Sequence, residues 1–192
     1  KFEGEYLNGK RHGKGKEYDS GKLIFEGEYL NGEILNGEGK KYYKSGGILF
    51  EGLYINGKLW NAKTYDEDKI YELKEGNGFF EEYDYKYIFE GEYKNGKRNG
   101  KGKEYGRYLD NLQFEGQYLN GKRNGKGKEY YLNGDLKYEG EYLNGERNGK
   151  GKEYFSDGTL KFEGEYKNNI EWNGKGYSKL NNDIEYELKN GK

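Results

Sequence analysis

The sequence predicts an all-β fold in which tandem β-hairpins form one elongated, single-layer antiparallel sheet. A motif of about 24 residues recurs along the 192-residue chain, every copy contains two short runs of alternating residues, and Asn-Gly pairs separate those runs. The clearest copy spans residues 114–134 and has the sequence FEGQYLNGKRNGKGKEYYLNG. Its runs FEGQY and GKGKEYY predict two strands, since Asn and Gly accept the positive φ of a two-residue hairpin turn.

The copies divide the chain into about eight to nine units with steps of 18 to 25 residues between their starts. Each unit contacts mainly its neighbours in such an array, so we predict a single repeat domain over residues 1–192. The chain contains no Met, not even at position 1, and we expect a fragment of a longer repeat protein. The predicted units start near Phe2, Phe25, Phe50, Tyr71, Phe89, Phe114, Tyr138, Phe162 and Tyr186.

Aromatic residues and glycines share one face of each predicted hairpin. Strand alternation places Phe114, Gly116 and Tyr118 on the same side. On the return strand, Gly125 and Gly127 also share a side, and we predict that these glycines leave room for rings from the neighbouring strand.

The opposite face carries the charges. Glu115 is predicted to lie across from Lys126 and Lys128 as a cross-strand pair. An exposed pair of this kind contributes only about 0.2 to 1 kcal/mol, so ring burial is expected to stabilise the unit.

Composition limits the classes of function. Charged residues make up 36% and hydrophobic residues 31%, which favours disorder, but the 18% of aromatic residues predicts an ordered chain with a thin aromatic core. Lys and Arg number 34 against 35 Asp and Glu, so the basic surplus of a nucleic-acid-binding protein is missing. The sequence has no cysteine, no targeting segment and no membrane-spanning run, and the predicted location is the cytoplasm.

The region from Leu59 to Ile88 departs from the motif, and part of it recurs. Trp60 and Trp172 lie 112 residues apart, the same offset that separates Phe2 from Phe114. The array therefore has a longer period of about five units. A tryptophan at each break is consistent with a bend, a cap or a docking point. Drift in one block that was later duplicated is the favoured interpretation, because tandem copying preserves defects as well as designs.

No group of residues predicts catalysis, a cofactor or a metal site. His12 is predicted to be a turn residue, because sister units place asparagine there, and no nucleophile accompanies it. The glutamates recur in equivalent places, whereas an acid and a base need two unlike environments. The cluster from Asp66 to Asp68 lacks calcium-loop spacing and predicts a solvated loop. The GKRNGKG runs fit neither phosphate-loop spacing nor a following helix, so we predict a protein that is not an enzyme.

Basic pairs recur at one position of the motif and are predicted to line one edge of the sheet at intervals of about 9 to 10 Å. Anionic headgroups could collect there, but glutamates interrupt the row and the chain is almost neutral, which favours a solvated edge. The candidate contact residues for a partner or a lipid are Lys10, Arg11, Lys97, Arg98, Lys122, Arg123, Arg147, Trp60 and Trp172.

The segments FEGEYLNGKRHGKG and YEGEYLNGERNGKG resemble the membrane occupation and recognition nexus (MORN) repeat. The ends from Lys128 to Leu136 are similar to the related repeat of YwqK-type antitoxin proteins. The resemblance covers nearly the whole chain and is weakest over 59–88 and 168–192. It implies an elongated, twisted, groove-forming antiparallel sheet that serves as a scaffold, with dimers in some members and debated phospholipid binding.

Three kinds of function are therefore open. The leading hypothesis is a non-enzymatic scaffold that binds protein partners along its aromatic-rich sheet. The alternatives are peripheral binding to an anionic membrane or phosphoinositide, and an accessory repeat domain of a larger enzyme or antitoxin-like protein. Homodimerisation and association with a membrane or the cytoskeleton are further expectations; nucleic acid is not an expected partner.

Overall fold

The computed structural model describes residues 1–66, 69–83, 87–106 and 110–192. These residues form 17 β-strands and no helix. The predicted unit starts all lie in odd-numbered strands, so each pair of strands corresponds to one copy of the motif. The strands are β1 (Phe2–Leu7), β2 (Lys10–Asp19), β3 (Lys22–Leu30), β4 (Glu33–Tyr42), β5 (Ile48–Ile55), β6 (Lys58–Asp66), β7 (Lys69–Leu73), β8 (Gly78–Tyr83), β9 (Tyr87–Lys94), β10 (Lys97–Gly106), β11 (Leu112–Leu119), β12 (Lys122–Tyr130), β13 (Leu136–Leu143), β14 (Glu146–Tyr154), β15 (Leu160–Lys167), β16 (Ile170–Tyr177) and β17 (Ile184–Leu188).

The strands form two open sheets in which every neighbour in space is also a neighbour in sequence. One sheet has seven strands in the order β1 to β7, and the other has ten in the order β8 to β17. The prediction of an all-β fold of tandem antiparallel hairpins is confirmed. The sequence analysis expected one continuous sheet, whereas the ladder of the first sheet ends at β7.

Contacts divide the chain into two compact units. Unit 1 comprises residues 1–81 and 92–97, and unit 2 comprises residues 82–91 and 98–192. The irregular region predicted over 59–88 contributes β6, β7 and β8, while Glu67 and Asp68 of the predicted acidic loop lie outside the described residues.

Two-residue turns close the hairpins along one edge. In the turn between β11 and β12, Asn120 has a φ of 51° and Gly121 a φ of 89°. Two consecutive positive φ angles define a type I′ turn, whose twist matches that of paired strands. We call the four residues of each such turn a hairpin tip. The described tips are residues 7–10, 30–33, 55–58, 74–77, 94–97, 119–122, 143–146, 167–170 and 189–192.

A β-bulge follows the tip in the return strand and accounts for Gly125, the third glycine of the motif. Tyr118 pairs with Arg123, and Gly116 pairs with Gly127, so three residues of β12 face one residue of β11. Gly125 lies in this bulge with a φ of 92°. A bulge with a glycine at positive φ re-aims the strand without ending it.

The prediction that His12 is a turn residue is wrong. His12 lies inside β2, half-buried, directly before Gly13 of the equivalent bulge. Asparagine in sister hairpins has a specific role here, since Asn36 Oδ1 accepts a hydrogen bond from the backbone N–H of Asn56 in the next tip at 2.9 Å. The repeated Asn therefore connects neighbouring hairpins, which a single repeat considered alone cannot reveal.

The predicted seating of rings over glycines is confirmed for Gly127 and wrong for Gly125, where an added Cβ would meet the side chain of Gln117 and no ring. Gly116 and Gly127 are paired across β11 and β12, and a Cβ on Gly127 would lie 2.6 Å from Cζ of Phe114. Phe114 is 0% exposed although no second layer of strands covers its hairpin in the topology. These rings also meet an aromatic residue of the next hairpin. Phe114 meets Tyr142 edge to face at 5.3 Å between centroids, whereas Phe50 meets Phe80 and Phe162 stacks on Tyr186. The thin core of each unit is therefore a line of rings.

Candidate interaction surface

The arginines of the predicted basic edge lie on the aromatic face, so this part of the prediction is wrong. The guanidinium carbon of Arg123 lies 3.9 Å from the ring centroid of Phe114. Adjacent residues of a strand point to opposite faces, so the lysine and the arginine of each pair cannot both line the same exposed edge. The same stacking occurs for Arg11 over Phe2, Arg98 over Phe89 and Arg147 over Tyr138.

Carboxylates on the aromatic face pair with these arginines and extend from hairpin to hairpin. Arg123 contacts Glu104 of the preceding hairpin and lies 3.9 Å from Glu129 of its own. Arg147 contacts Glu129 at 2.6 Å and Glu153 at 3.3 Å. Unit 2 therefore contains an alternating row of carboxylates and guanidinium groups that covers the rings. Such desolvated pairs are costly to break singly, because the remaining partner is left as a buried charge.

Tyrosine hydroxyls complete this row and their ionisation is suppressed. Tyr142 donates a hydrogen bond to Glu129 at 2.7 Å. Burial, reinforced by the nearby carboxylate, raises the pKa of Tyr142 well above its ordinary value. Burial likewise raises the pKa of Tyr29 to about 12 and that of Tyr138 to about 12. For Glu129, burial favours the neutral acid, but hydrogen bonds from Arg147 and Tyr142 outweigh it and lower the pKa.

The opposite face, which we call the polar face, carries the predicted cross-strand charge pairs. Glu115 lies opposite Lys128, and in an equivalent pair Lys152 contacts Glu163 at 3.0 Å. Tyrosines join this face as well, since Tyr130 donates a hydrogen bond to Glu115 at 2.7 Å. The Lys152–Glu163 pair is about half exposed on both sides, which is the environment in which ion pairs contribute least.

Exposed aliphatic residues at the hairpin tips are the feature that the sequence analysis missed. Leu119 is 49% exposed and pairs across the tip with Lys122. Both residues follow the alternation of Glu115 and lie on the polar face. We call the first and last residues of the hairpin tips, which lie directly before and after each two-residue turn, the tip row. The aliphatic–charged pairs of the tip row are Leu7–Lys10, Leu30–Glu33, Ile55–Lys58, Leu119–Lys122, Leu143–Glu146 and Ile170–Lys167.

Neighbouring tips contact each other within each unit. In unit 2 the N–H of Gly145 donates to the carbonyl of Arg123 at 2.8 Å, and the N–H of Asn169 donates to that of Arg147 at 3.0 Å. Equivalent bonds connect the tips of unit 1, where Gly32 donates to the carbonyl of Arg11. The tips are therefore stacked in register, so their exposed side chains form a row at intervals of about two strand spacings, 9 to 10 Å.

The tip row is positively charged in both units. In unit 2 the loops on the opposite edge contain acidic residues, among them Asp135 and Asp157. The tips of unit 1 contain Lys10, Lys58, Lys74, Lys94 and Lys97 against Glu33 and Glu75, and those of unit 2 contain Lys122, Lys167, Lys189 and Lys192 against Glu146.

Both tryptophans of the prediction occupy bulges of irregular hairpins. Tyr166 pairs with Glu171 and Glu165 with Asn173, so Trp172 is the extra residue. Trp60 is the extra residue of β6 in the same way. Each is half-buried and its carbonyl accepts the N–H of the next tip glycine. These contacts explain a structural role for the tryptophans, while their role in partner contact is still a prediction.

The described residues offer little for chemistry. None of their His, Cys, Asp and Glu side chains forms a group of three that could hold a metal ion. An open cavity of about 410 Å³ lies over β4 to β7 of unit 1, but Lys63 and Lys74 on its wall are already paired with Glu72. No helix long and apolar enough to cross a membrane occurs in the described part of the chain.

Comparison with known proteins supports the repeat assignment for part of the chain. No curated protein matches it significantly. The family model of the MORN repeat matches four segments, residues 2–22, 89–107, 114–136 and 138–160. All four segments contain a stacked arginine together with its ring, at Arg11, Arg98, Arg123 and Arg147. These four segments are similar to MORN repeats.

Proposed function

We propose that this chain is a non-enzymatic scaffold that binds protein partners along its repeated surface. The observation that supports this proposal is the tip row, in which aliphatic side chains recur in exposed positions beside charges. Rings of the regular hairpins such as Phe114, Tyr118 and Tyr138 are buried, so the partner surface is assigned to the tips instead of the aromatic face. MORN repeats are in general interaction modules, and a repeated row gives a partner many small contacts.

The experiment uses the whole chain as bait for partner capture and mass spectrometry. Leu119→Asn combined with Leu143→Asn removes two neighbouring tip side chains. Leu132→Asn is the matched control, because Leu132 is 68% exposed in a loop on the opposite edge of the same unit. A partner retained by the control and lost by the tip variant is the expected result. A partner held equally by all three proteins would contradict the proposal.

Binding to an anionic membrane is the second candidate, and the lysines of the tip row favour it. Flotation with phosphatidylinositol-phosphate liposomes is expected to weaken when Lys10, Lys97 and Lys122 are replaced by Glu. The arginines are unsuitable for this test, because Arg98 and Arg123 are paired with carboxylates over the rings. Unchanged flotation of the lysine variant would exclude this candidate.

Three other predictions belong to the same proposal. A role beside a catalytic region, or an antitoxin-like role, is tested by sequencing the complete open reading frame. Homodimerisation is tested by light scattering at several concentrations. Cytoplasmic localisation, with or without the membrane or cytoskeleton, is tested by imaging a fluorescent fusion.

A further inference from the structure

We infer that the tip row within each unit binds an acidic, extended segment of a partner protein that presents an aliphatic side chain at every third residue. This inference rests on the proposed function and specifies the partner's chemistry. It follows from the composition, the charge and the spacing of the tip row.

The aliphatic residues are not required by the turns that they flank. The tip at residues 94–97 has the same turn geometry with lysine in place of leucine. At residues 167–170 the two side chains exchange strands, so that Lys167 precedes the turn and Ile170 follows it. The pair keeps its composition although the positions are exchanged. Solvent-facing leucine, isoleucine and lysine therefore form a surface that hairpin stability does not explain.

The charge of the hairpin tips indicates that the partner segment is negatively charged. The tips of unit 1 contain five lysines against two glutamates, and those of unit 2 contain four against one. Carboxylates on the partner would pair with these lysines, while its aliphatic side chains fill the gaps between successive leucines.

Spacing determines the conformation of the partner. Successive tips lie two strand spacings apart, about 9.6 Å. A polyproline II segment rises about 3.1 Å per residue with three residues per turn, so every third side chain recurs after about 9.3 Å on the same side. A β-strand alternates sides and presents every third residue on the wrong face. Two turns of an α-helix advance about 10.5 Å over seven residues, which loses register along several tips.

Because the sheet is twisted, an extended partner segment fits the tip row better than a flat membrane does. Adjacent strands rotate by about 20 to 25° relative to each other, so tips two strands apart point in directions that differ by about 45°. A planar bilayer can meet only a few such tips at once. An extended chain can follow the rotating row, and each further triplet adds another contact.

The test measures binding of a fluorescent peptide of repeated Leu-Pro-Glu triplets to the whole chain by anisotropy. One control peptide has the same composition in an order that breaks the three-residue spacing, and another carries lysine in place of glutamate. Vesicles containing phosphatidylserine form a separate arm. The triplet peptide is expected to bind at least about tenfold more tightly than either control. Leu119→Asn with Leu143→Asn is expected to weaken it, and Leu132→Asn is expected to leave it unchanged.

Equal binding of the two acidic peptides, no effect of the tip variant, or binding to vesicles alone would overturn the inference. Its failure is distinguishable from that of the proposed function. If captured partners depend on Leu119 and Leu143 while the triplet peptide does not bind, the scaffold proposal stands and only the partner's chemistry is wrong.

Discussion

At the scale of single residues, glycine makes the aromatic core possible, because it has no side chain to displace a ring. Gly116 and Gly127 face each other across two strands, and the ring of Phe114 lies over both. Arg123 then covers the ring from above. A glycine pair, an aromatic ring and a guanidinium group thus replace the second layer that a sheet normally packs against.

Gly127→Ala is therefore expected to destabilise the protein by about 1 to 3 kcal/mol, because the new Cβ would overlap the ring of Phe114. Gly47→Ala is the matched control, since the nearest atom to its Cβ would be Cδ2 of Tyr43 at 3.9 Å. Urea unfolding of both variants gives the two free energies. Equal effects of the two substitutions would show that ring seating does not require glycine at position 127.

Residue patterns predicted most of the glycines and rings correctly, but not the arginines. The alternation that places Phe114 on the same face as Gly116 was sufficient to predict that a ring and a glycine lie together. The arginine follows from the turn: because Leu119 pairs with Lys122, Tyr118 pairs with Arg123 and the two share the aromatic face. In the sequence, Lys122 and Arg123 are simply two adjacent basic residues. The partners of Arg123 come from β10 and β12, and no local motif specifies such a pairing.

At the scale of the hairpin, the two faces have different electrostatic roles. On the aromatic face, Tyr142 and Arg147 of one hairpin bind Glu129 of the hairpin before it. On the polar face, Tyr130 and Glu115 belong to the same hairpin, and the Lys152–Glu163 pair, which joins two hairpins, is about half exposed. Bonds on the aromatic face therefore couple neighbouring repeats, which is how a repeat array gains cooperativity.

Alkaline pH is expected to unfold the protein. A tyrosine in the unfolded chain has a pKa of about 10, whereas burial raises the pKa of Tyr138 to about 12. Between these values the unfolded chain has released protons that the folded chain retains, so the free energy of unfolding falls as pH rises. Circular dichroism and tyrosinate absorbance, followed together, should change in one transition above pH 10 or so.

Tyr138→Phe is the matched control for that transition, because sister hairpins place Phe114 and Phe162 at the same position. Removing this hydroxyl should make the alkaline loss of stability shallower. Tyrosines that titrate near their ordinary pKa without any loss of strand signal would contradict the account.

The tip residues are expected to be dispensable for stability. Leu119→Asn combined with Leu143→Asn should change the free energy of unfolding by no more than about 1 kcal/mol, because both side chains are half exposed. Thermal and urea unfolding provide the measurement. A larger loss would assign these leucines to the fold and weaken the argument that they form a binding surface.

At the scale of the whole molecule, the repeats made the strand order predictable from the sequence. The Asn-Gly pairs predicted almost all the tips, and the unit starts fall in consecutive odd-numbered strands. The interruption of the ladder after β7 was not predictable, because the region around it has lost the glycines that define the register. The tip row was also missed, although a visible signal existed: aliphatic residues are scarce in this chain, yet they recur directly before Asn-Gly.

The central claim is that charges on the aromatic face hold the repeats together while those on the polar face do not. Native-state hydrogen exchange of Arg147→Ala and Lys152→Ala tests it directly, since the Arg147 side chain is 12% exposed and that of Lys152 is 44% exposed. Loss of Arg147 leaves Glu129 and Glu153 without their shared partner and should cost about 3 kcal/mol, which speeds exchange in β13 to β15 about a hundredfold. Lys152→Ala should leave these amides protected. Comparable exchange in the two variants, or faster exchange in Lys152→Ala, would contradict the account.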